Sequence, residues 1–326
     1  TEADQSRALL RLTVRWIESE RDRLFRRLVV ERRGDRWVSA VESAPLVSTM
    51  RLASAEIHTS LLEATDEARL PESIATQIVD VFDDIDFQSD MRRGDRFRVV
   101  YESLEGDGES LGAGRVLSVD FTTGAQTRQA IWFQPPGLDA LTGKSFPAGY
   151  FTPTGRSLRR AYLASPVEFS HVSSGFQMRT HPISKAWRQH LGVDYAAPAG
   201  TSVRSVGDGV VEFAGTQNGY GNVVIVQHHN NQSTLYAHLS KIGVKPGQVV
   251  SQGDYVGRVG STGWATGPHL HFEFRVDGLH RDPETLAEQS DTLPLTEEAS
   301  HAFRTVAALM QVQLAAAEST RQASAE

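Results

Sequence analysis

The 326-residue chain contains no cysteine. Disulfides and thiolate metal sites are excluded, so any metal must be held by imidazole and carboxylate groups. The lack of thiols fits an oxidising compartment, where stray cysteines are a liability. No uninterrupted apolar run approaches the roughly 18 residues that a membrane-spanning helix needs. There is no Lys/Arg run, and the net charge is −7. That balance gives no footprint for nucleic acid, which is not expected as a partner. The chain starts Thr-Glu-Ala-Asp, without a charged-then-apolar leader. It reads as a mature or trimmed form, and any membrane anchor is expected only in residues absent from it.

What is present is ordinary for a globular protein of more than one domain: 40% hydrophobic and 22% charged residues. Over 1–84, Leu12–Ile17 and Phe25–Glu31 read as strands, and Gly34-Asp35 reads as a hairpin turn into Trp37–Val41. Helical spacing follows from residue 54: Ile57, Leu61, Leu62, Ala64 and Ala68 in one helix, then Ile74, Ile78, Val79 and Phe82 in a second opened by Pro71. This first region is an α+β domain. Residues 85–164 form a small antiparallel β domain (Arg96–Tyr101, Val116–Phe121, Gln129–Phe133) and a linker from Pro136. Residues 165–288 carry many short β runs with recurrent glycine, which predicts a compact antiparallel β domain. Residues 289–326 end the chain in an amphipathic helix from Glu297, with Phe303, Val306, Leu309, Met310 and Leu314 at helical spacing. The fold class is mainly β, with a smaller α+β amino-terminal part.

Nine of the eleven histidines fall between His171 and His280. From His269 to Arg275, Leu270, Phe272 and Phe274 alternate with His269, His271 and Glu273. Period two puts the polar trio on one strand face, the two imidazoles roughly 7 Å apart at the backbone. His190 and Asp194 would be about 13 Å apart on a straight strand, too far to share a metal. Gly192 between them permits a bend that brings them together. Tyr236 and His238 are expected to share a face, with Leu235, Ala237 and Leu239 on the other. His238 then reaches the same centre from a neighbouring strand. Two imidazoles and a carboxylate with a fourth position open for water are the layout of catalytic zinc.

These segments, with Ser173-Ser174-Gly175-Phe176, Gly219-Tyr220-Gly221-Asn222, Gly260-Ser261-Thr262-Gly263 and Thr266–Phe272, resemble the LytM-type (lysostaphin-like) zinc metallopeptidases over about 165–283. Residues 54–164 resemble the amino-terminal regions of multidomain Gram-negative envelope members, the peptidoglycan DD-endopeptidases. The resemblance implies an antiparallel β-sandwich-like scaffold with an open groove and one Zn2+ per chain on His190, Asp194 and His271. His238 and His269 are implied as catalytic histidines, their division of labour between general base and oxyanion stabiliser left open. It further implies peptide stems of peptidoglycan as substrate, D-alanyl-diaminopimelate bridges among them, and a periplasmic or cell-envelope location.

No His-Glu-x-x-His motif is present, so histidine must handle the proton. Glu273 is expected either to be structural or to support a ligand from behind, and His228 and His229, which point to opposite faces, to be structural. His181 is placed on the groove rim, where Trp187 and Trp264 could stack on substrate or simply pack. The alternative to an enzyme is a non-catalytic LytM-like regulator of cell-wall hydrolases, but such domains lose metal ligands and all five matching positions are here. Residues 1–164 are expected either to occlude the groove, through an acid such as Glu56 or Glu63, or to act as a spacer.

Overall fold

The alternating runs fold into hairpins, and the turn chemistry sets where each begins. The computed structural model describes residues 2–3, 9–19, 22–82, 85–87, 90–168, 170–180, 187–285 and 294–325, divided into two units.

The first unit comprises Thr1–Gln134, Ala148–Leu158 and Leu295–Glu326. Strands β1 (Glu2–Ala3), β2 (Leu9–Trp16), β3 (Leu24–Arg33) and β4 (Arg36–Pro45) form an antiparallel sheet in that order. A second sheet is built from β5 (Val47–Glu56), β6 (Arg96–Gly106), β7 (Glu109–Thr123), β8 (Gln126–Phe133) and β9 (Gly149–Phe151). Helices α1 (Leu61–Glu67) and α2 (Glu72–Val81) bury Leu61, Ala64, Ile74 and Ile78 among Phe97, Val99, Val119 and Phe121. Ser60 caps α1 by accepting the Glu63 amide at 3.2 Å. The terminal helix α3 (Glu297–Ala325) lays Ala299, Phe303, Ala307, Met310 and Leu314 on Val100, Ile131, Phe133 and Phe151. Its buried stripe steps by four and three through three alanines, Ala317 the last, so Leu309 points outward.

Two expectations fail in this unit: Gly149–Phe151, expected within the linker, is an edge strand held by pairing with Ile131–Phe133, and the first helix begins later than expected. Residues 54–56 belong to a strand, not to a helix that starts at 54. Ala53, Ser54 and Ala55 have weak strand preference, yet they pair with Val99, Arg98 and Phe97. Ladder hydrogen bonds and packing override a propensity that spans only about 1 kcal/mol. Glu56 sits in that ladder opposite Arg96, its carboxylate 3.5 Å from the guanidinium.

The second unit comprises Pro135–Pro147 and Arg159–Pro294. Its strands are β10 (His171–Ser174), β11 (Met178–Thr180), β12 (Trp187–Gln189), β13 (Val193–Ala196), β14 (Ser202–Arg204), β15 (Gly209–Gln217), β16 (Gly221–Gln227), β17 (Gln232–Leu239), β18 (Lys241–Ile242), β19 (Val249–Val250), β20 (Tyr255–Arg258), β21 (His269–Val276) and β22 (Leu279–Arg281). The main sheet runs β10-β13-β21-β17-β16-β15-β19, with β22 also paired to β21. A three-stranded sheet, β14-β20-β18, covers one of its faces. Tyr236, Leu239, Leu270, Phe272 and Phe274 of the large sheet meet Val203 and Val256 of the small one in a shared core. This is an antiparallel sandwich. His269, His271 and Glu273 point from the opposite face of β21, because side chains alternate along a strand.

Candidate metal centre

β21 lies between β13 and β17, and the register aligns the polar residues. Asp194 is directly opposite His271, and Ala237 is opposite His271 on the other side. Directly opposed residues share a face, so the Asp194 carboxylate and the His271 ring meet. His190 lies ahead of β13 and is anchored by its amide donating to the Gln177 carbonyl at 2.8 Å. Gly192, between them, packs on the backbone of β21. A Cβ at this position would collide with the Phe272 carbonyl oxygen. Its φ is not in the left-handed region, so the glycine is required for close approach rather than for a special backbone angle.

His190, Asp194 and His271 are all buried and form a cluster of the kind that holds a metal ion. His190 Nε2 is 3.1 Å from Asp194 Oδ1 and 3.1 Å from His271 Nδ1. His271 Nδ1 is 2.8 Å from the same carboxylate oxygen. The outer nitrogen of each ring faces a pure acceptor. His190 Nδ1 lies 2.9 Å from the Gly175 carbonyl, and His271 Nε2 lies 3.1 Å from Glu273 Oε1. Each outer nitrogen therefore carries the hydrogen, and in the neutral ring the inner nitrogen presents a lone pair. Two lone pairs and a carboxylate oxygen then converge, an arrangement that only a cation or a proton satisfies. The spacings lie slightly inside the edge of about 3.3 Å that bonds of about 2.0–2.1 Å give in a tetrahedron.

The electrostatics agree. Burial opposes charge on Asp194, but hydrogen bonds from His190 and His271 hold its carboxyl far below the usual range. Burial likewise opposes the imidazolium of His271, and the bonds to Asp194 and Glu273 raise its pKa to about 9. At neutral pH these partners favour a proton on the His271 ring, in the place a cation would take.

His238 reaches this centre by a route different from the one expected. Tyr236 and His238 do not share a face. Tyr236 is opposite Phe272 in the sandwich core, and Ala237 is opposite His271. Simple alternation would turn His238 away. Instead the β16–β17 register slips: Val224 faces Tyr236 while Asn222 faces Leu239, so Ala237 and His238 together oppose Val223. His238 has φ 58°, a left-handed conformation rare for a side-chain-bearing residue. This bulge re-aims the ring. The His238 amide donates to the Tyr220 carbonyl at 2.8 Å, which holds the bulge. Ring centroids of His238 and His269 are 4.8 Å apart, and those of His238 and His271 are 5.9 Å apart.

His238 Nδ1 lies 2.8 Å from the Thr262 carbonyl, and His269 Nδ1 lies 2.8 Å from the Gly267 carbonyl. Both are therefore Nδ1–H tautomers with Nε2 bare. His269 Nε2 is 3.9 Å from Asp194 Oδ1. Burial, with a smaller contribution from the neighbouring histidines, lowers the His238 pKa to about 4, so this ring is neutral and able to accept a proton.

A hub that sequence reading did not assemble lies behind His271. Glu273 is completely buried. Its Oε1 accepts from the Tyr220 hydroxyl at 2.6 Å and from His271. Its Oε2 accepts from Arg275 at 2.6 Å and from His280 at 2.9 Å. Burial opposes its charge, and these partners still pull its pKa down to about 2. The clue available in the sequence was a carboxylate on the same face as two histidines, which must find partners if buried. Arg275 and His280 face one another across the β21–β22 hairpin, whose Asp277-Gly278 turn has both φ values positive.

Among the described residues, the other named side chains are not part of the three-group cluster. Both ring nitrogens of His228 are occupied, by the Asp208 carbonyl and the Thr234 hydroxyl. His229 Nε2 lies 2.7 Å from Asp139 Oδ2. His171 is on the exposed strand β10. Trp187 and Trp264 are both exposed. His181 lies outside the described residues.

Comparison with known proteins matches residues 188–283 to peptidase family M23. The chain carries an M23 peptidase domain. Its His190-to-His271 cluster falls within the matched segment. The chain is 35% identical over 281 residues to peptidoglycan DD-endopeptidase ShyC of Vibrio cholerae, covering 86% of this chain and 62% of ShyC. It is 34% identical over 277 residues to DD-carboxypeptidase/endopeptidase Mpg of Neisseria meningitidis, covering 84% and 63%. The chain thus spans under two thirds of the length of these relatives. A solved zinc-containing peptidase from Vibrio cholerae aligns with a TM-score of 0.38 and 28% identity, over 87% of this chain and 83% of that one.

Proposed function

We propose that the M23 domain is a zinc-dependent endopeptidase that cuts the peptide cross-links of peptidoglycan, D-alanyl-diaminopimelate bridges in particular, in the periplasm. The observation that carries this reading is the convergence of three acceptor atoms, from His190, Asp194 and His271, at 2.8–3.1 Å. The names of the relatives support the substrate class: both are named for endopeptidase activity, and ShyC for peptidoglycan. Bound there, zinc supplies Lewis acidity and brings the pKa of water toward about 7.

In this reading the chain's own residues do the rest. His190, Asp194 and His271 hold the ion, and Gly175 and Glu273 fix the two ring tautomers. His238 and His269 offer bare Nε2 atoms to the same space, so one takes the proton from water and delivers it to the leaving amine. The other, carrying on Nε2 a proton taken up from solvent, donates to the developing oxyanion. The test is a zymogram on purified peptidoglycan. Clearing should vanish with chelator and return with zinc; clearing that persists after all metal is removed overturns the proposal.

Glu273→Gln measures the hub. The amide can still accept from His271 but brings no charge, so the ring is a weaker donor to the metal. Zinc affinity, read by competition with a chromogenic chelator, is expected to fall about 10–100-fold. An unchanged affinity would leave Glu273 as packing alone.

A further inference from the structure

We propose that strand β4 is a docking edge for a second copy of this chain, paired antiparallel about Ser39. β4 is the last strand of its sheet, and among the described residues nothing pairs with its outer side. Every residue from Arg36 to Ser43 is exposed, including Trp37, Val38 and Val41. Soluble proteins shield such edges with lysine, bulges or internal proline. Here β4 has no lysine, its ten pairs with β3 run without a register shift, and its proline is the terminal Pro45.

The hydrogen-bonding parity defines how another strand can approach. Arg33 and Arg36 close a two-residue hairpin over Gly34-Asp35 and form its hydrogen-bonded pair. Even-numbered residues of β4 therefore bond to β3. The amides and carbonyls of Trp37, Ser39 and Val41 point outward. An antiparallel partner must use those odd positions, and a two-fold axis at Ser39 does so. It sets Arg36 opposite the second copy's Glu42 and Trp37 opposite its Val41, each twice, with Ser39 facing itself. Opposite charges and an aromatic facing a β-branched residue are favourable cross-strand pairs. Centring on Ala40 or on Val41 leaves both charges facing apolar residues or alanine. Centring on Val41 also places Pro45, which has no N–H, at a ladder position.

The same pairing extends an apolar face. Val14, Leu28 and Val41 form a row across β2, β3 and β4. Val14 and Val41 remain exposed. Pairing continues this row onto Trp37 of the second copy, and the four-stranded sheet becomes one that spans both copies. The partner chemistry is thus a strand complementary to Arg-Trp-Val-Ser-Ala-Val-Glu, and β4 itself has that sequence.

The chain has no cysteine, so one introduced thiol reports on the register. Opposed Cα atoms in a hydrogen-bonded antiparallel pair are about 5.5 Å apart. That is within the span of about 4.4–6.8 Å that a disulfide tolerates. Under mild oxidation, Ser39→Cys should give a covalent dimer, whereas Val41→Cys, which faces Trp37, should not. Unmodified chain should sediment with doubled mass at high concentration. Ser39→Pro removes only an outward N–H, and should weaken self-association at least tenfold while its circular dichroism and melting temperature stay as in the parent. A single-chain mass at the highest soluble concentration overturns the proposal, as does cross-linking of Val41→Cys as efficient as that of Ser39→Cys.

Discussion

Asp194→Ala is expected to abolish zinc retention and, with it, hydrolysis of peptidoglycan. Asp194 is the only anionic donor among the three converging groups, and its Oδ1 lies 2.8 Å from His271 and 3.1 Å from His190. Two neutral imidazoles that must share a buried space hold a divalent cation poorly without a carboxylate to offset its charge. The loss should exceed the roughly 10–100-fold that removal of an outer partner costs. The pH dependence of zinc binding in the parent gives a second reading. His271 is raised to about 9 in the metal-free chain, so binding must expel its proton. Below that pKa the apparent affinity should rise about tenfold for each pH unit, and then level off above it. In Asp194→Ala the largest partner that raises His271 is gone, so its pKa should fall, although Glu273 still holds it up in part. Calorimetry in buffers of different ionisation enthalpy counts the proton released. Retained zinc at parental affinity would remove Asp194 from the ligand set.

The way these residues come together separates what a linear pattern conveys from what it omits. A site of His190, Asp194 and one imidazole of the His269-Leu270-His271 strand was legible, because residues with metal-binding chemistry stand at those points in a run of β residues and period two aligns His269, His271 and Glu273; only the family resemblance singled out His271. An antiparallel β domain was legible from glycine-bounded β runs, and its sandwich layering only through the family resemblance. The strand at 54–56 was not, since Ala53, Ser54 and Ala55 carry no period, and their place depends on pairing with residues about 44 positions away. The Glu273 hub was only half visible. Its partners Tyr220 and His280 arrive from β16's leading turn and from β22, and no local rule joins them.

His238 shows the limit most sharply. Period two predicts that it shares a face with Tyr236. It reaches the face that carries His269 and His271 because a bulge places two residues opposite one and puts His238 at φ 58°. The proximity of the His238 ring to His269 and His271 thus depends on a bulge that period two does not foresee. Holding a non-glycine residue there costs about 1–2 kcal/mol, and such strain persists only where the surroundings enforce it, commonly at functional sites. The Tyr220 carbonyl and the Thr262 carbonyl enforce it here, one on the amide and one on the ring.

That strain makes the second large prediction separable from folding. His238→Gly removes the imidazole and relieves the left-handed backbone at once. Zinc affinity should stay close to parental, because His238 donates to none of the three converging groups. Hydrolysis should fall about 10²–10⁴-fold, the range that a positioned proton-transfer group contributes. Thermal stability should hold or rise, since glycine accepts φ 58° without steric cost; the unfolded chain's extra freedom offsets part of that gain. His238→Asn serves as the companion, because asparagine tolerates the same backbone and still offers a donor, but cannot take up a proton near neutral pH. Both variants should therefore remain folded, metal-loaded and nearly inactive. In the parent the ring titrates near pH 4, so it is neutral and ready to accept a proton throughout the neutral range. If either variant keeps parental turnover with zinc bound, His238 is not the proton carrier, and His269, whose Nε2 also faces the centre, takes that role alone.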